Sequence, residues 1–204
     1  MKKVTIVDYG MCNLDSVYRA IEECGGKPII TSDPDDLFNS NHVIIPGVGA
    51  FYNAMENLRS MDLVDPLREL ATSGNIAILG ICLGMQLLAT KGTEGRETVG
   101  LDLIEGTVKI LEPSSSQERI PHIGWNEVHF EEDSVLLDGI ASGSDFYFVH
   151  SYHFECKQKY QVATTPFARG FNSIIASGNI FGVQFHPEKS QKLGFKVLEN
   201  FLSI

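Results

Sequence analysis

Residues 75 to 90, Asn-Ile-Ala-Ile-Leu-Gly-Ile-Cys-Leu-Gly-Met-Gln-Leu-Leu-Ala-Thr, constrain the fold of this chain more than any other stretch. Ile76 to Leu79 is an unbroken apolar run, the pattern of a strand buried on both faces of a parallel sheet. From Leu83 the period changes, and Leu83, Leu87 and Leu88 share one helical face. Between them lies Gly80-Ile81-Cys82-Leu83-Gly84. This is a thiol version of the Gly-x-Ser-x-Gly elbow, a tight strand-to-helix turn that lifts a nucleophile above the carboxyl edge of a sheet. The free amides and dipole of the helix favour a thiolate there, and the Leu83 amide can donate to a developing oxyanion. Taken alone, the pattern also describes an ordinary buried cysteine at a strand end.

The surrounding chain supplies the context that an elbow needs. Val4 to Val7 reads as a strand, Leu14 to Cys24 as a helix burying Val17, Ala20, Ile21 and Cys24, and Gly25-Gly26 as its stop. Pro28 to Thr31 and His42 to Ile45 read as the next strands. The alternation runs to about Thr90 and predicts an α/β fold: an open, mostly parallel sheet flanked by helices, with ligands at the carboxyl ends of its strands. Past Gly100 shorter strands follow over Gly106–Leu111, Asn126–Phe130, Asp145–Phe154, Gln161–Thr165, Ser173–Ala176 and Ile180–Phe185. These add antiparallel strands to the C-terminal half, and no linker separates them, so residues 1–204 read as one domain. At 204 residues and 43% hydrophobic, the chain can cover both faces of such a sheet.

Charge and cysteine usage exclude several function classes. The net charge is −10 and no stretch gathers lysine and arginine, which argues against nucleic acid and anionic membrane as partners. The apolar run after Met1-Lys2-Lys3 stops at Asp8, too short for a signal peptide or a spanning helix, so a cytoplasmic location is expected. Cys12, Cys24, Cys82 and Cys156 have neither metal nor redox spacing. His150 and His153 would point to opposite faces of one strand, so no metal site and no cofactor is expected.

Two further segments carry chemistry. Pro46-Gly47-Val48-Gly49-Ala50-Phe51 directly follows a strand, where two glycines can expose backbone amides or let a peptide turn over. It is either a plain turn or, if it lies beside Cys82, the second half of an oxyanion hole. Phe181-Gly182-Val183-Gln184-Phe185-His186-Pro187-Glu188-Lys189-Ser190 delivers His186 at a strand end, with Glu188 two residues on and able to orient the imidazole. A thiol needs one group that acts as base and then as acid, and imidazole can do both. Elsewhere, Glu94 either solvates its polar loop or meets a cation. Trp125, in Ile120-Pro121-His122-Ile123-Gly124-Trp125-Asn126, is either core or an exposed interface anchor.

Together these motifs resemble the class I (triad) glutamine amidotransferases along essentially the whole chain. Within that class, Val7-Asp8-Tyr9-Gly10, the Pro-Gly-Val-Gly-Ala-Phe loop and Pro121 to Asn126 are similar to the glutaminase subunits that serve imidazole glycerol phosphate synthases. The resemblance implies hydrolysis of L-glutamine by Cys82, His186 and Glu188, with Val48, Gly49 and Leu83 forming the oxyanion hole. It implies Gly47, Gln86, Glu94, Ser151 and Tyr152 as substrate-binding residues, Glu94 being matched to the α-ammonium. It also implies a heterodimer in which a barrel-type cyclase subunit of histidine biosynthesis takes the ammonia and meets Asn13, Trp125 and Lys189. Cys12 departs from the glycine usual in the Asp-Tyr-Gly-Met-Gly-Asn loop, which leaves partner choice open. A glutaminase serving a sugar-modifying amidotransferase of surface-polysaccharide synthesis and a non-catalytic binding protein on the same fold are the alternatives.

Overall fold

Apolar runs that alternate with helices build the centre of the molecule in the computed structural model, which describes residues 2–204. The first half contains β1 (Lys3–Val7), α1 (Leu14–Glu23), β2 (Lys27–Thr31), α2 (Pro34–Phe38), β3 (His42–Ile45), α3 (Phe51–Ser60), α4 (Val64–Ser73), β4 (Ala77–Ile81) and α5 (Leu83–Leu87). Then come β5 (Ala89–Gly92), β6 (Thr98–Val99), β7 (Ile104–Ile110), β8 (His122–Val128), β9 (Ser144–His150), β10 (Tyr152–Cys156), β11 (Gln161–Thr165), β12 (Phe171–Ser177), β13 (Ile180–Val183) and α6 (Gln191–Leu202). The main sheet has seven strands in the order β11-β12-β13-β4-β3-β1-β2. Its five strands from β2 to β13 are parallel, and β12 and β11 extend one edge antiparallel. A four-stranded sheet, β10-β7-β5-β6, and the β8–β9 ribbon complete the strands. This is the expected α/β class.

Successive residues of the central strands enter two different cores, as a sheet covered on both faces requires. Ile6, Ile44, Leu79 and Ile81 pack with α1 and α6, while Val7, Val43, Ile45 and Ile78 pack with α3, α4 and α5. The inward face of α1 is Val17, Ala20 and Ile21, as its spacing predicts, whereas Cys24, read with them, follows the last helical residue Glu23 and is half-buried; Gly25 at φ 81° turns the chain out of the helix. The strand order reverses between β1 and β3, so the loops after these strands, residues 8–13 and 46–50, flank the crevice at the switch point. Among the described residues, no helix is long and apolar enough to cross a membrane.

Two expectations are corrected. The strand read over Asp145–Phe154 is two strands: β9 pairs with β8, and after Ser151 the chain leaves for β7 as β10. The period of two survives because each piece has its own core, Phe146 and Phe148 in one and Phe154 in the other. Alternation therefore conceals a change of partner. The helix after Cys82 is also shorter than its apolar face implies: it ends at Leu87, and Ala89 already pairs in β5. One turn and a half carries little macrodipole, so local amides rather than a long helix must serve the cysteine.

Candidate active site

Cys82 sits between β4 and α5 at φ 54° and ψ −107°, a left-handed backbone that a non-glycine residue adopts only where the surroundings impose it. What imposes it is close packing. A side chain at Gly84 would come within 1.7 Å of the Ile45 carbonyl oxygen, so only glycine lets α5 cross β3 this tightly. The Cys82 amide donates to the Val183 carbonyl at 2.8 Å, which ties the elbow to β13. β13 in turn carries the chain to His186. The side chain of Cys82 is 6% exposed at residue level, and its Sγ lies 3.8 Å from the Val149 carbonyl.

His186 and Glu188 form a buried pair. Nδ1 of His186 and Oε1 of Glu188 are 2.8 Å apart, with side-chain exposures of only 3% and 2%. A carboxylate can only accept, so Nδ1 carries the hydrogen and Nε2 is the nitrogen free to exchange a proton. Among the described residues Nε2 has no hydrogen-bond partner, and the Cys82 side chain acts on the charge of the ring. Burial works against a charged imidazole here, but Cys82 and Glu188 outweigh it and raise the pKa to about 10. The backbone is fixed as well: the His186 amide donates to the Tyr147 carbonyl at 2.9 Å, and Ser190 Oγ donates to the His186 carbonyl at 2.7 Å.

A cavity of about 210 Å³ opens over the sulfur, lined by Val48, Gly49, Cys82, Leu83, Gln86, Glu94, Val149, His150, Ser151 and Tyr152. The glycine loop thus does lie beside Cys82. Gly47 sits behind the wall instead, where a β-carbon would meet the Tyr9 hydroxyl and Leu83. Glu94 accepts the Phe51 amide at 2.7 Å and so holds the start of α3, while still facing the cavity. In the glycine loop the Val48 amide donates to the Met11 carbonyl at 2.8 Å, and Gly49 follows at φ 110°. Tyr9 Oη donates to the Pro46 carbonyl at 2.6 Å, and Cys12 Sγ lies 3.3 Å from the same oxygen. Burial raises the Cys12 thiol to about 11.

Two parts of this site are not announced by the sequence motifs. Gln184, fully buried, directs Nε2 at Cys82 Sγ from 3.8 Å and accepts from Gln86 Nε2 at 3.1 Å. A polar residue inside the otherwise apolar run before His186 was the available signal. A buried chain also runs from Asn126 to His122 at 3.2 Å, on to His150 at 3.0 Å and then to the Tyr152 carbonyl at 2.9 Å. That carbonyl must accept from His150 Nδ1, which makes each imidazole a donor on one side and an acceptor on the other. Burial lowers His122 to about 4 and His150 to about 3, and both stay neutral in this chain.

Asn13, Trp125 and Lys189 are all exposed, Trp125 at 47% beside Ile123 at 61% on the same face of β8. The Trp125 ring meets Tyr147 edge to face at 6.0 Å, and Tyr147 bonds both His186 and Ser190 through its backbone. The exposed apolar edge of β8 therefore adjoins the turn that carries the histidine.

Comparison with known proteins identifies the family of the chain. The family described as glutamine amidotransferase class-I matches residues 5–204. The chain is 46% identical over 202 residues to the imidazole glycerol phosphate synthase subunit HisH of Moorella thermoacetica, covering 98% of this chain and 94% of that protein. It is 41% identical to the protein of the same name from Methanosarcina acetivorans, with both chains covered in full. Among solved structures, one described as a glutamine amidotransferase has a TM-score of 0.76 at 17% identity, covering 98% of this chain and 97% of that one. The structure of PurLQS from Thermotoga maritima has a TM-score of 0.72 at 21% identity, covering 100% of this chain and 99% of the chain it matches. At those identities the structures speak to the fold alone. With a family match over nearly its whole length and relatives above 40% identical from end to end, the chain belongs to the class-I glutamine amidotransferases.

Proposed function

We propose that this chain is the glutaminase subunit of an imidazole glycerol phosphate synthase, acting as one amidotransferase domain over residues 1–204 in the cytoplasm. The observation that carries the reading is a buried cysteine on a strained elbow together with an imidazole that has one nitrogen held by a buried carboxylate and the other free. Cys82 passes its proton to His186 Nε2 as its sulfur attacks the side-chain amide carbon of L-glutamine, and the carbonyl oxygen becomes an oxyanion between the Leu83 amide and an amide of Val48 or Gly49. His186 Nε2 gives its proton to the nitrogen, the C–N bond breaks, and ammonia leaves a γ-glutamyl thioester. A water then loses a proton to His186 and adds to the same carbon. The C–S bond breaks, the departing sulfur takes the proton back from His186, and glutamate leaves. Glu188 holds the ring's tautomer throughout. Gln86, Glu94, Ser151 and Tyr152 hold the substrate in the cavity, with Glu94 on its α-ammonium, and Gly47 shapes the wall behind them.

The Val48 amide is engaged by Met11 and cannot serve an oxyanion in that orientation. Turning this peptide, which the flanking glycines permit, is the activating step, and docking of the partner on the adjoining 8–13 loop drives it. Ammonia is protonated in neutral water and is then no nucleophile, so direct transfer is the useful arrangement. The relatives' name supports a two-subunit synthase. The acceptor is a barrel-type cyclase subunit that turns a phosphoribulosyl formimino carboxamide ribonucleotide into imidazole glycerol phosphate and an aminoimidazole carboxamide ribotide. Asn13, Trp125 and Lys189 contact it. The test is to mix the chain with such a cyclase and ask whether glutamine replaces ammonium in product formation. No glutamine-dependent product, with the cyclase active on ammonium, refutes this acceptor. Failure of a glutamine-like chloroketone to label Cys82 refutes the glutaminase reading itself.

A further inference from the structure

Gln184 is the one fully buried amide side chain between β13 and His186, and nothing in the mechanism above uses it. Its orientation is set by its neighbours. The Tyr152 carbonyl can only accept, so the group of Gln86 2.8 Å from it is the NH2. The second hydrogen of that NH2 points to Gln184 at 3.1 Å, which must therefore present its oxygen. The NH2 of Gln184 is then left facing the Cys82 sulfur at 3.8 Å. A flipped Gln86 would set its Oε1 against the Tyr152 carbonyl oxygen, two acceptors with no hydrogen between them, and that oxygen is held in place by His150 Nδ1 at 2.9 Å. Both hydrogens of the Gln86 NH2 are spent inside the protein, and its remaining group, Oε1, is an acceptor on a residue that lines the substrate cavity.

We propose that Gln184 is a positioning residue of the glutaminase site with two tasks: one N–H holds the Cys82 sulfur for attack, and its oxygen locks Gln86 so that Gln86 offers an acceptor to a cationic group of the substrate. This rests on the reading of Cys82 as the nucleophile. The donor strengthens as the sulfur gains negative charge, so it serves the attacking form more than the resting thiol. The lock excludes the flipped Gln86, whose NH2 would face an α-ammonium with like polarity.

Two substitutions separate the tasks, each read as glutamate release with the cyclase partner present and as alkylation of Cys82 by iodoacetamide at fixed pH. Gln184→Glu keeps an oxygen for Gln86 and removes the N–H to sulfur. It lowers kcat and slows alkylation about 10- to 100-fold, the scale of one hydrogen bond to a charged group, and leaves KM within about twofold. Gln184→Met removes both contacts, so the same fall in kcat is joined by a rise in KM of about tenfold. Unchanged alkylation in both variants, or a KM that rises equally in both, overturns the proposal. Should either variant fail to fold, the unmodified protein decides: the side-chain NH2 resonance of Gln184 shifts when Cys82 is alkylated, and an unmoved resonance is the contrary result. If the unmodified pair does not hydrolyse glutamine, the glutaminase reading falls. The alkylation rates and the NH2 resonance still decide whether Gln184 touches the sulfur.

Discussion

The row from Cys82 through His186 to Glu188 and the loop from Pro46 to Gly49 face one cavity but are held in opposite ways. The row is buried and closed: the elbow is fixed by a backbone crossing at Gly84, and the histidine is fixed by Glu188 and by backbone bonds to Tyr147 and Ser190. The loop is engaged elsewhere, its Val48 amide on Met11 and its Pro46 carbonyl on Tyr9 and Cys12. Val48 itself is 41% exposed. The difference teaches that the proton-transfer groups can stand ready while hydrolysis waits on a single peptide. A donor aimed at the oxyanion is worth about 3 kcal/mol, which is enough to keep an otherwise complete site nearly idle.

The most forceful way to break this comparison is to remove the nucleophile. Cys82→Ala lowers glutamate release by a factor on the order of 10⁴ or more, while the partner still makes product from ammonium. A loss confined to a few-fold would mean that the sulfur is not the attacking group. Glu188→Gln keeps the geometry but lets the histidine tautomer slip, and kcat falls about 10³- to 10⁴-fold in the same assay. Val48→Pro deletes the contested N–H and lowers partner-stimulated turnover about 10²- to 10³-fold. Because the row does not depend on the loop, alkylation of Cys82 stays at its usual rate in this variant. A parallel loss of alkylation would merge the two regions into one.

Acid and alkaline pH sharpen the contrast more gently. His186 is raised to about 10 in the folded chain against an ordinary value near 6.5, so its pairing stabilises the fold fully below about pH 6.5 and ceases to do so as pH rises towards 10. The stability gap between the unmodified chain and Glu188→Gln, measured by denaturant titration, therefore shrinks as pH rises through that window. His122 and His150 behave in the opposite sense. Their folded values near 4 and 3 lie below the unfolded one, so stability falls as pH drops from about 6.5 towards 4. The smallest effect belongs to Cys12. Its backbone is not among those with positive φ, and its thiol makes only weak contacts, with the Pro46 carbonyl at 3.3 Å and the Val7 carbonyl at 3.9 Å, so Cys12→Gly changes glutamine turnover by less than about threefold.

The parts of the molecule legible in its residues are those that local chemistry dictates. The run before Cys82, the glycines around it and the His-Pro-Glu turn are each readable because only certain residues tolerate those backbones. The parallel sheet followed from alternating periods, and so did the meeting of loops at the switch point. What escaped depends on partners far along the chain. The break at Ser151 is invisible because both strands keep an alternation of two, and the brevity of α5 is set by the pairing of Ala89 with β7. Gln184 and the His122–His150 pair escaped for the same reason: burial of a polar side chain is a fact about its neighbours, and spacing does not report it. The engagement of the Val48 amide by Met11 joins residues 37 positions apart, and nothing in either segment announces it.

The central claim is that the row is assembled and the loop is not. The most direct test is the rate of glutamate release by the isolated chain against the same chain bound to the cyclase partner with its nucleotide substrate. A rise of about 10²- to 10³-fold on assembly, the scale of one recovered oxyanion donor, is the predicted result. Equal rates in the two states would contradict it.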